Sequence, residues 1–304
     1  MKVLYGHDCP EKVVLTFGNF DGVHCGHVRV FSEVVKLAKE RGCASAVLTF
    51  LPHTAIFLKN RENFLISTFE QKVEMIRNCG IDYLCVAKFD EEFSKLSPEA
   101  YVEDILIKGC GAKLIVVGRG CIFGYKCAGD FKLLESCATM HGCEVVEIDQ
   151  LFKEDLLCSS SNVRECLRYG DIRNANMLLG RNHSVSGKVI RGVARGKAIG
   201  FPTLNLSLHG VVLPKRGVYY AKVKIDTREW FPGIVNIGVR PTFSDVDTPI
   251  LEMHIFDFCE DIYDKEVTVE LIDFVRAEKK FQDVESLVEQ IKKDISIVKR
   301  AYKC

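Results

Sequence analysis

The sequence predicts two domains: an α/β domain with a mostly parallel sheet, then an antiparallel β-barrel or sandwich that ends in a C-terminal helix. Between residues 13 and 150, apolar runs alternate with amphipathic runs, as strands and helices do in α/β domains. From 186 to 274, short β-rich runs are separated by glycine and proline, which is typical of antiparallel β domains. The 304 residues suffice for two medium domains, which we predict at 1–182 and 183–304.

Each element of the first domain has its own signal. Val13–Phe17 is an apolar run interrupted only by Thr16 and predicts a buried strand, and the helix after His27 has a continuous apolar face. Ser97 as N-cap and Pro98 at the first position predict a helix that ends at Ile107. The other predicted strands are Ala46–Leu51, Ile81–Val86, Leu114–Val117 and Val145–Ile148, and the other predicted helices are Phe69–Asn78 and Phe131–His141.

The second domain is predicted to contain short strands and one helix. Several of the strands alternate apolar and polar residues, as strands with one buried face do. The helix from Asp283 to Tyr302 carries an apolar stripe that includes Val284 and Val298, and we expect this stripe to pack onto the barrel. The predicted strands are Lys188–Arg191, Thr203–Leu208, Val218–Ile225, Ile234–Ile237, Ile250–Phe258 and Glu266–Phe274.

The composition favours a globular protein without a nucleic-acid or membrane partner. Lys and Arg total 41, as do Asp and Glu, so no net charge draws the chain to a polyanion or a lipid surface. No run has the length of a signal-peptide core or a membrane span. The 14 cysteines lack the spacing of a disulfide framework, which indicates reduced thiols in a cytoplasmic protein. The sequence gives no indication of the oligomeric state.

The segment Gly18–His27 predicts a phosphate site between a strand and a helix. Its glycines let the backbone approach a ligand closely, and the helix N-terminus offers unpaired N–H groups and a positive dipole end to an anion. His24 and His27 are three residues apart, so both imidazoles can face one site. The further nucleotide-binding candidates in this segment are Gly18, Phe20, Asp21 and Gly26.

Two alternatives exist for this segment. It could be a tight turn with two surface histidines, or a zinc site formed by His24, His27 and Cys25. The zinc alternative is weaker, because no acidic or cysteine partner stands nearby at ligand spacing and the chain contains no Cys-x-x-Cys.

A second phosphate-binding candidate is the run Ser159–Arg164. Ser160 and Arg164 are one helical turn apart, and a hydroxyl and a guanidinium on one face suit a pyrophosphate. The alternative is a helix N-cap followed by a solvated arginine.

The segment Gly200–Asn205 predicts a metal and nucleotide site in the second domain. Thr203 and Asn205 are two apart, so they point to the same side of a strand, and both present oxygen atoms of the kind that Mg²⁺ accepts. The glycine-rich basic loop before them could fold over nucleotide phosphates, and its candidates are Gly187, Gly192 and Lys197. The alternative is an Asx or ST turn before an edge strand.

Glu252 and His254 share one face of a strictly alternating strand. A carboxylate that points into a nucleotide site could take the proton from an attacking hydroxyl. The same face could instead be the solvated side of the strand, and spacing alone does not decide between these alternatives.

These motifs carry a resemblance to a known family. The His-x-Gly-His after a strand resembles the nucleotidylyltransferase superfamily, and over nearly its full length the chain resembles the prokaryotic bifunctional riboflavin kinase/FAD synthetase family. The segments that carry the resemblance are Gly18–His27, Thr49–His53, Ser159–Arg164, Gly200–Asn205, Leu213–Tyr219, Val235–Phe243 and Leu251–His254.

The resemblance implies a Rossmann-like adenylyltransferase domain followed by a Greek-key β-barrel kinase domain. The kinase would convert riboflavin and ATP to FMN, with Thr203 and Asn205 holding Mg²⁺ and nucleotide phosphates and Glu252 as the base. The adenylyltransferase would join AMP from ATP to FMN, giving FAD. His24 and His27 would stabilise the α-phosphoryl group in its transition state. Ser160 and Arg164 would hold the β- and γ-phosphates.

The chain departs from the family at one loop. Members of the family usually carry Val-Gly-x-Asp-Phe-x-Phe-Gly where this chain has Val117–Gly124, so Gly120 and Cys121 replace an aspartate and a phenylalanine. The change affects the expected flavin site of the adenylyltransferase rather than the ATP chemistry. It leaves two alternatives to the bifunctional enzyme: a riboflavin kinase with weak or altered adenylyltransferase activity, and a non-catalytic flavin-binding protein.

Overall fold

The computed structural model describes residues 1–191, 196, 199–208, 210–226, 229–240 and 248–303. The chain forms two compact units. The first contains Met1–Glu62 and Thr68–Ser160, and the second contains Asn63–Ser67 and Ser161–Cys304.

A six-stranded sheet in which every neighbouring pair is parallel forms the centre of the first unit. The strand order is β1-β4-β3-β2-β5-β6, so the chain runs outward from β2 in one direction and then returns to add β5 on its other side. In such sheets, ligands bind beyond the carboxyl ends of the strands at this point of reversal. The strands are β1 (Lys2–Tyr5), β2 (Val13–Phe17), β3 (Ala44–Leu51), β4 (Tyr83–Lys88), β5 (Ala112–Gly118) and β6 (Glu144–Ile148).

Helices cover both faces of this sheet, so β2 is buried on both sides. Val13 and Leu15 belong to one hydrophobic cluster, and Val14 between them belongs to another. The helices are α1 (Cys25–Arg41), α2 (Thr54–Lys59), α3 (Phe69–Asn78), α4 (Glu91–Ser94), α5 (Pro98–Ala100, continued as a π-helix over Tyr101–Gly109) and α6 (Phe131–Met140).

The predicted first domain is confirmed in type and differs in detail. β2 and α3 have the predicted bounds, whereas β1 and α2 were not predicted, because β1 is a short edge strand and α2 is a short helix after a proline. The helix predicted to follow His27 already begins at Cys25.

The second unit contains an antiparallel sheet that closes toward a barrel. Its order is β10-β13-β12-β11-β14-β9, and a bridge between Ile190 and Asn205 joins the chain after β9 to β10 at the other edge. β11, β12 and β13 are consecutive neighbours and β10 lies beside β13, which is a Greek key. The strands are β9 (His183–Lys188), β10 (Leu204–Ser207), β11 (Gly217–Ile225), β12 (Trp230–Arg240), β13 (Thr248–Ile255) and β14 (Glu266–Ala277).

Before the barrel, the chain forms a small hairpin and two helices. The hairpin pairs β7 (Phe152–Lys153) with β8 (Leu156–Leu157), and the helices are α7 (Ser160–Tyr169) and α8 (Ile172–Leu179). By contacts, α8 and most of α7 belong to the second unit. The predicted domain boundary between residues 182 and 183 stays a prediction.

Two elements of the barrel unit differ from the sequence prediction. The strand predicted at Lys188–Arg191 was wrong in position, because the pairing with β14 runs over His183–Lys188. The C-terminal helix, α9 (Val284–Tyr302), is present, and Val298 packs in a cluster with Tyr220 and Phe256 of the barrel. Val284 is 60% exposed, so the apolar stripe begins later than predicted.

Two further findings concern the described residues as a set. None of their helices is both long and apolar enough to cross a lipid bilayer. The described cysteines are free thiols, and five of them (Cys85, Cys110, Cys137, Cys143 and Cys158) are buried.

Candidate active sites

A cavity of about 660 Å³ opens at the carboxyl ends of the strands of the first unit. This volume falls within the range of small-molecule sites. Three segments that follow strands contribute to its lining: residues of 18–27 after β2, Thr54 after β3, and residues 118–127 after β5. The first of these segments lies beside the point where the strand order reverses.

The loop after β2 follows an unusual backbone path. Phe20 and Val23 have φ values of +49° and +37°, which are rare for residues with a side chain. A Cβ on Gly26 would come within 3.0 Å of the Cys158 carbonyl oxygen and of the His24 ring, so this position admits no larger residue without movement. Gly18 and Gly26 both line the cavity, so bare backbone faces it at these two positions.

Hydrogen bonds from other elements hold this loop. The Asn19 side chain donates to the Thr54 hydroxyl at 2.9 Å and accepts from the Thr54 N–H at 3.1 Å, which fixes the loop against the start of α2. The Ser160 hydroxyl donates to the Asp21 carbonyl oxygen at 2.8 Å. Ser160 is therefore close to the predicted phosphate loop but bonded to its backbone, and Asp21 is 3% exposed beneath the cavity lining.

The two predicted histidines lie together at the start of α1. His24 is the N-cap residue, and its Nδ1 accepts the N–H of His27 at 3.3 Å. The neutral His24 ring therefore carries its proton on Nε2. The two rings are stacked with centroids 3.5 Å apart, and both line the cavity. A helix N-terminus, bare glycine backbone and two adjacent imidazoles form a surface suited to a polyphosphate.

The zinc alternative for His24, His27 and Cys25 is wrong for this structure. Among the residues that the structure describes, no group of three or more His, Cys, Asp or Glu side chains could hold a metal ion. The surface-turn alternative is also wrong, because His24 is 6% exposed and lines a cavity.

Aromatic rings that no sequence motif singles out form one wall of the cavity. Phe17 contacts the Tyr101 ring at 5.4 Å and the Phe123 ring at 5.8 Å, both edge to face. Phe50 and Phe93 continue the wall at 5.8 Å from one another. Their position in the sequence could have indicated them, since Phe17 and Phe50 stand at or next to the carboxyl ends of β2 and β3. These rings give the cavity an apolar, aromatic lining.

The loop that departs from the family motif belongs to the same cavity. Gly120 has a φ of +84°, a Cβ at this position would meet only open space, and Cys121 lies beside it in the lining. Burial raises the pKa of the Cys121 thiol to about 12, so the thiol stays neutral. Arg119 pairs with Asp149 at 2.8 Å and with Glu147 at 3.4 Å, which fixes the start of the loop against the end of β6.

The second candidate site lies on one face of the barrel. Asn205 on β10 is directly opposite Glu252 on β13, and Glu252 is directly opposite Asn236 on β12. Residues opposite one another in antiparallel strands project on the same face, so these three side chains form a row. Leu251 and Met253 are fully buried on the other face. Asn236 was not predicted as a site residue, although it stands in a segment that carries the resemblance.

The segment before β10 is fixed by His254. Its Nδ1 donates to the Pro202 carbonyl oxygen at 2.9 Å, and its ring meets Phe201 at 5.3 Å. A Cβ on Gly196 would come within 3.3 Å of the Thr203 hydroxyl oxygen, so the chain passes close over Thr203. Glu252 and His254 therefore share one face as predicted, and that face is partly covered by the chain at Phe201.

The remaining predicted residues have these positions. Arg164 is 6% exposed in the second unit, where its Nε donates to the Phe64 carbonyl oxygen at 2.9 Å and its guanidinium stacks on the Phe64 ring. Gly187 pairs with Val267 within the barrel wall. Gly192 and Lys197 lie outside the described residues.

Comparisons with family models divide the chain in two. A model described as FAD synthetase matches residues 7–162, and a model described as riboflavin kinase matches residues 179–302.

Curated relatives match over nearly the whole chain. The bifunctional riboflavin kinase/FMN adenylyltransferase of Buchnera aphidicola (subspecies Schizaphis graminum) is 36% identical and covers 99% of this chain and 99% of its own. The Bacillus subtilis protein of the same name is 36% identical, with coverages of 93% and 90%. The Escherichia coli K12 protein of that name is 32% identical, with coverages of 93% and 91%.

A solved structure matches as well. A crystal structure described as a macrolide-efflux protein from Streptococcus pneumoniae superposes with a TM-score of 0.88 at 29% identity, covering 99% of both chains. The efflux description belongs to that protein. The match shows that this chain shares its fold over the full length.

Proposed function

Because the chain belongs to the bifunctional riboflavin kinase/FMN adenylyltransferase family, we propose that it converts riboflavin to FMN and then FMN to FAD. The barrel unit would transfer the γ-phosphoryl group of ATP to riboflavin. The parallel-sheet unit would transfer AMP from a second ATP to FMN and release pyrophosphate. We further propose that both reactions take place in the cytoplasm.

The adenylyltransferase proposal depends on one observation: two adjacent imidazoles and a set of aromatic rings line the same cavity. These are the stacked imidazoles of His24 and His27 and the aromatic rings that include Phe17 and Phe123. An acceptor that combines a flat ring with a phosphate, such as FMN, matches this combination. A simple nucleotide-binding loop would not need the aromatic wall.

In this proposal, adenylyl transfer requires no nucleophile from the protein. An oxygen of the FMN phosphate attacks the α-phosphorus of ATP, the bond to the β-phosphate oxygen breaks, and pyrophosphate leaves. The N–H groups at the start of α1 and the imidazoles of His24 and His27 would stabilise the negative charge that grows on the α-phosphoryl oxygens. Ser160 would act by fixing the Asp21 backbone, and Arg164 would hold the β- and γ-phosphates.

The kinase proposal relies on the row formed by Asn205, Glu252 and Asn236. The Thr203 hydroxyl and the Asn205 amide oxygen are hard oxygen donors of the kind that Mg²⁺ accepts, so this part of the barrel fits the ion. Bound Mg²⁺ would neutralise phosphate charge during phosphoryl transfer. Glu252 would accept the proton of the riboflavin hydroxyl as its oxygen attacks the γ-phosphorus.

A riboflavin kinase with weak adenylyltransferase activity is the second candidate. The observation that favours it is the loop at Gly120 and Cys121, which puts two small residues where the family usually has a carboxylate and an aromatic ring. The aromatic wall supports the bifunctional proposal over this candidate, since several rings remain on the same cavity.

The test is product chromatography with purified protein, ATP, Mg²⁺ and riboflavin. We expect FMN to appear first and FAD to follow. Asn205→Ala should stop FMN formation and leave FAD formation from supplied FMN intact. Ser207→Ala, at an exposed position on the same strand, is the matched control. FMN without FAD would select the second candidate, and neither product would select a non-catalytic flavin-binding protein.

A further inference from the structure

Lys72 is a buried lysine in the first turn of α3, with 7% of its surface exposed. Removing an ammonium group from water is costly unless hydrogen bonds and opposite charge compensate for it. The turn that carries Lys72 is itself well fixed, because Thr68 and Gln71 form a reciprocal capping box around it. The position of Lys72 is therefore built into the fold.

The ammonium group of Lys72 joins two elements that converge on the cavity. Its Nζ donates to the Thr49 hydroxyl oxygen at 3.0 Å and to the Asn19 carbonyl oxygen at 3.2 Å. The Thr49 hydroxyl in turn donates to the same Asn19 carbonyl at 3.3 Å. Thr49 lies on β3 and Asn19 in the phosphate loop, so the three groups form a closed triangle beneath that loop.

This triangle complements the bonds that reach the loop from other directions. Asn19 is also held through its side chain by Thr54, as described above. The next residue, Phe20, has a left-handed φ of +49°, a conformation that persists only when its surroundings enforce it. Lys72 is the cationic member of this set.

We propose that Lys72 is a positioning residue of the adenylylation site, which holds the Gly18–His27 loop in its ATP-binding shape and adds positive charge beneath it. The inference rests on the proposed adenylyltransferase function. It assigns to α3, which does not line the cavity, a direct effect on ATP affinity.

The protonation behaviour of Lys72 gives the inference a distinctive signature. Burial lowers the pKa of Lys72 from 10.5 to about 8, and the Asp21 carboxylate partly offsets this. Between these two pH values the unfolded chain binds more protons than the folded chain, so the free energy of unfolding rises with pH. The loop loses positive charge over the same interval, so its affinity for phosphate falls. A lysine with only a structural role would not move these two quantities in opposite directions.

The charged and uncharged groups that face Lys72 come from three elements. The Asp21 carboxylate of the loop attracts it, and the Thr49 hydroxyl of β3 and the Phe69 ring of α3 contact it. On α3, Glu74 pairs with Arg77 at the surface. Because the pKa of Lys72 is lowered to about 8, the KM measured across the alkaline range follows the protonation of this lysine.

The experiment measures the KM for ATP in FAD formation from supplied FMN, for the wild type, Lys72→Met and Lys72→Arg. Lys36→Met, at an exposed lysine of α1, is the matched control. We expect Lys72→Met to raise the KM by about tenfold, as loss of a charge-assisted hydrogen bond does. Riboflavin phosphorylation by the same protein should not change. From about pH 7.5 to 9.5 the KM should rise in the wild type and stay level in both Lys72 variants.

The outcomes separate the two levels of proposal. A wild type that forms no FAD overturns the proposed function, and with it the role of Lys72. A wild type that forms FAD, with equal KM values in Lys72→Met and Lys36→Met, overturns the role of Lys72 alone. If Lys72→Met does not fold, the comparison of the wild type with Lys72→Arg decides. The inference is supported if the KM for ATP rises between about pH 8 and 9.5 in the wild type and not in Lys72→Arg. It is contradicted if the KM of both proteins changes with pH in the same way.

Discussion

In the proposed function both candidate sites bind ATP phosphates, and the two sites are built in different ways. In the parallel-sheet unit the site is a loop with a rare backbone, in which Phe20 and Val23 have positive φ values. In the barrel unit the site is a row of side chains on strands of ordinary backbone, with Asn205 and Glu252 opposite one another. The backbone conformation of the loop must be held by neighbouring residues, whereas the row of side chains on the barrel follows from the register of the strands.

This difference determines which residues each site depends on. The loop is held by bonds from outside it, from Thr54, Ser160 and Lys72, so residues that never touch ATP should affect its affinity. The row on the barrel follows from strand pairing, and Thr203 and the loop before it complete the proposed kinase site. Substitutions at exposed barrel positions away from these groups should therefore leave phosphorylation unchanged, and the following predictions test this contrast.

The largest expected effect is at Glu252 in the barrel row. Glu252→Gln keeps the shape of the side chain and removes its ability to accept a proton. We expect the kcat of riboflavin phosphorylation to fall by about 100- to 10,000-fold, the usual contribution of a positioned general base. FAD formation from supplied FMN should keep its rate, and both rates are measured by product chromatography on one preparation.

Glu266→Gln provides the control for this substitution, because Glu266 is an exposed carboxylate of the same barrel. It should retain both activities. A Glu252→Gln protein that phosphorylates riboflavin at the wild-type rate would show that Glu252 is only a solvated strand residue. The barrel row would then be a binding surface without a base.

The next largest effect is expected at the histidines of the loop. His27→Ala should lower the kcat of FAD formation by about 100- to 1000-fold, as removal of one donor to a developing negative charge does. His24 has two roles, since its Nδ1 also caps α1. His24→Asn preserves an acceptor for the cap and removes the ring, so it should lose activity while retaining the helix.

His141→Ala, at an exposed position after α6, is the control for both histidines. Circular dichroism and thermal unfolding report the state of the helix, and chromatography reports the two activities. If His24→Asn and His24→Ala lose equal activity but only His24→Ala loses stability, capping and catalysis are separate roles. Full activity in His24→Asn would leave His24 with the cap alone.

The sequence predicts the fold class because the signals for it are local. β2 is apolar at every position but Thr16, and α3 has both its cap and its period in the chain itself. The misplaced strand at Lys188–Arg191 shows the limit, since the pairing of β9 is decided by β14, which is distant in the chain. Edge strand β1 was missed for the same reason, because its pairing with β4 is the main evidence for it.

The residues of the candidate sites likewise differ in whether the sequence alone could indicate them. The histidines, glycines and Thr203–Asn205 stand in short motifs that spacing can reveal. Lys72, Asn236 and the aromatic wall could not be found by spacing, because their partners come from distant strands. Ser160 was predicted as a phosphate ligand, and it does lie near the phosphate loop, but its bond to the Asp21 carbonyl depends on the tertiary structure.

The smallest effect we predict concerns Gly120. It tests whether a strained backbone conformation, held by its surroundings, also occurs outside the Gly18–His27 loop. Gly120 has a φ of +84°, whereas Gly118, two residues earlier, has no such constraint, and a Cβ would meet nothing at either position. Gly120→Ala should therefore lower the free energy of unfolding of the first domain by about 1–2 kcal/mol through backbone strain alone. Gly118→Ala should lower it by less.

Denaturant unfolding, followed by circular dichroism, measures the stability of both variants, and FAD formation measures their KM for FMN. Because Gly120 lines the cavity beside Cys121, strain there should raise the KM for FMN more than the KM for ATP. Equal stabilities of Gly118→Ala and Gly120→Ala would mean that the loop relaxes freely. The departure from the family motif at Gly120 and Cys121 would then carry no backbone strain.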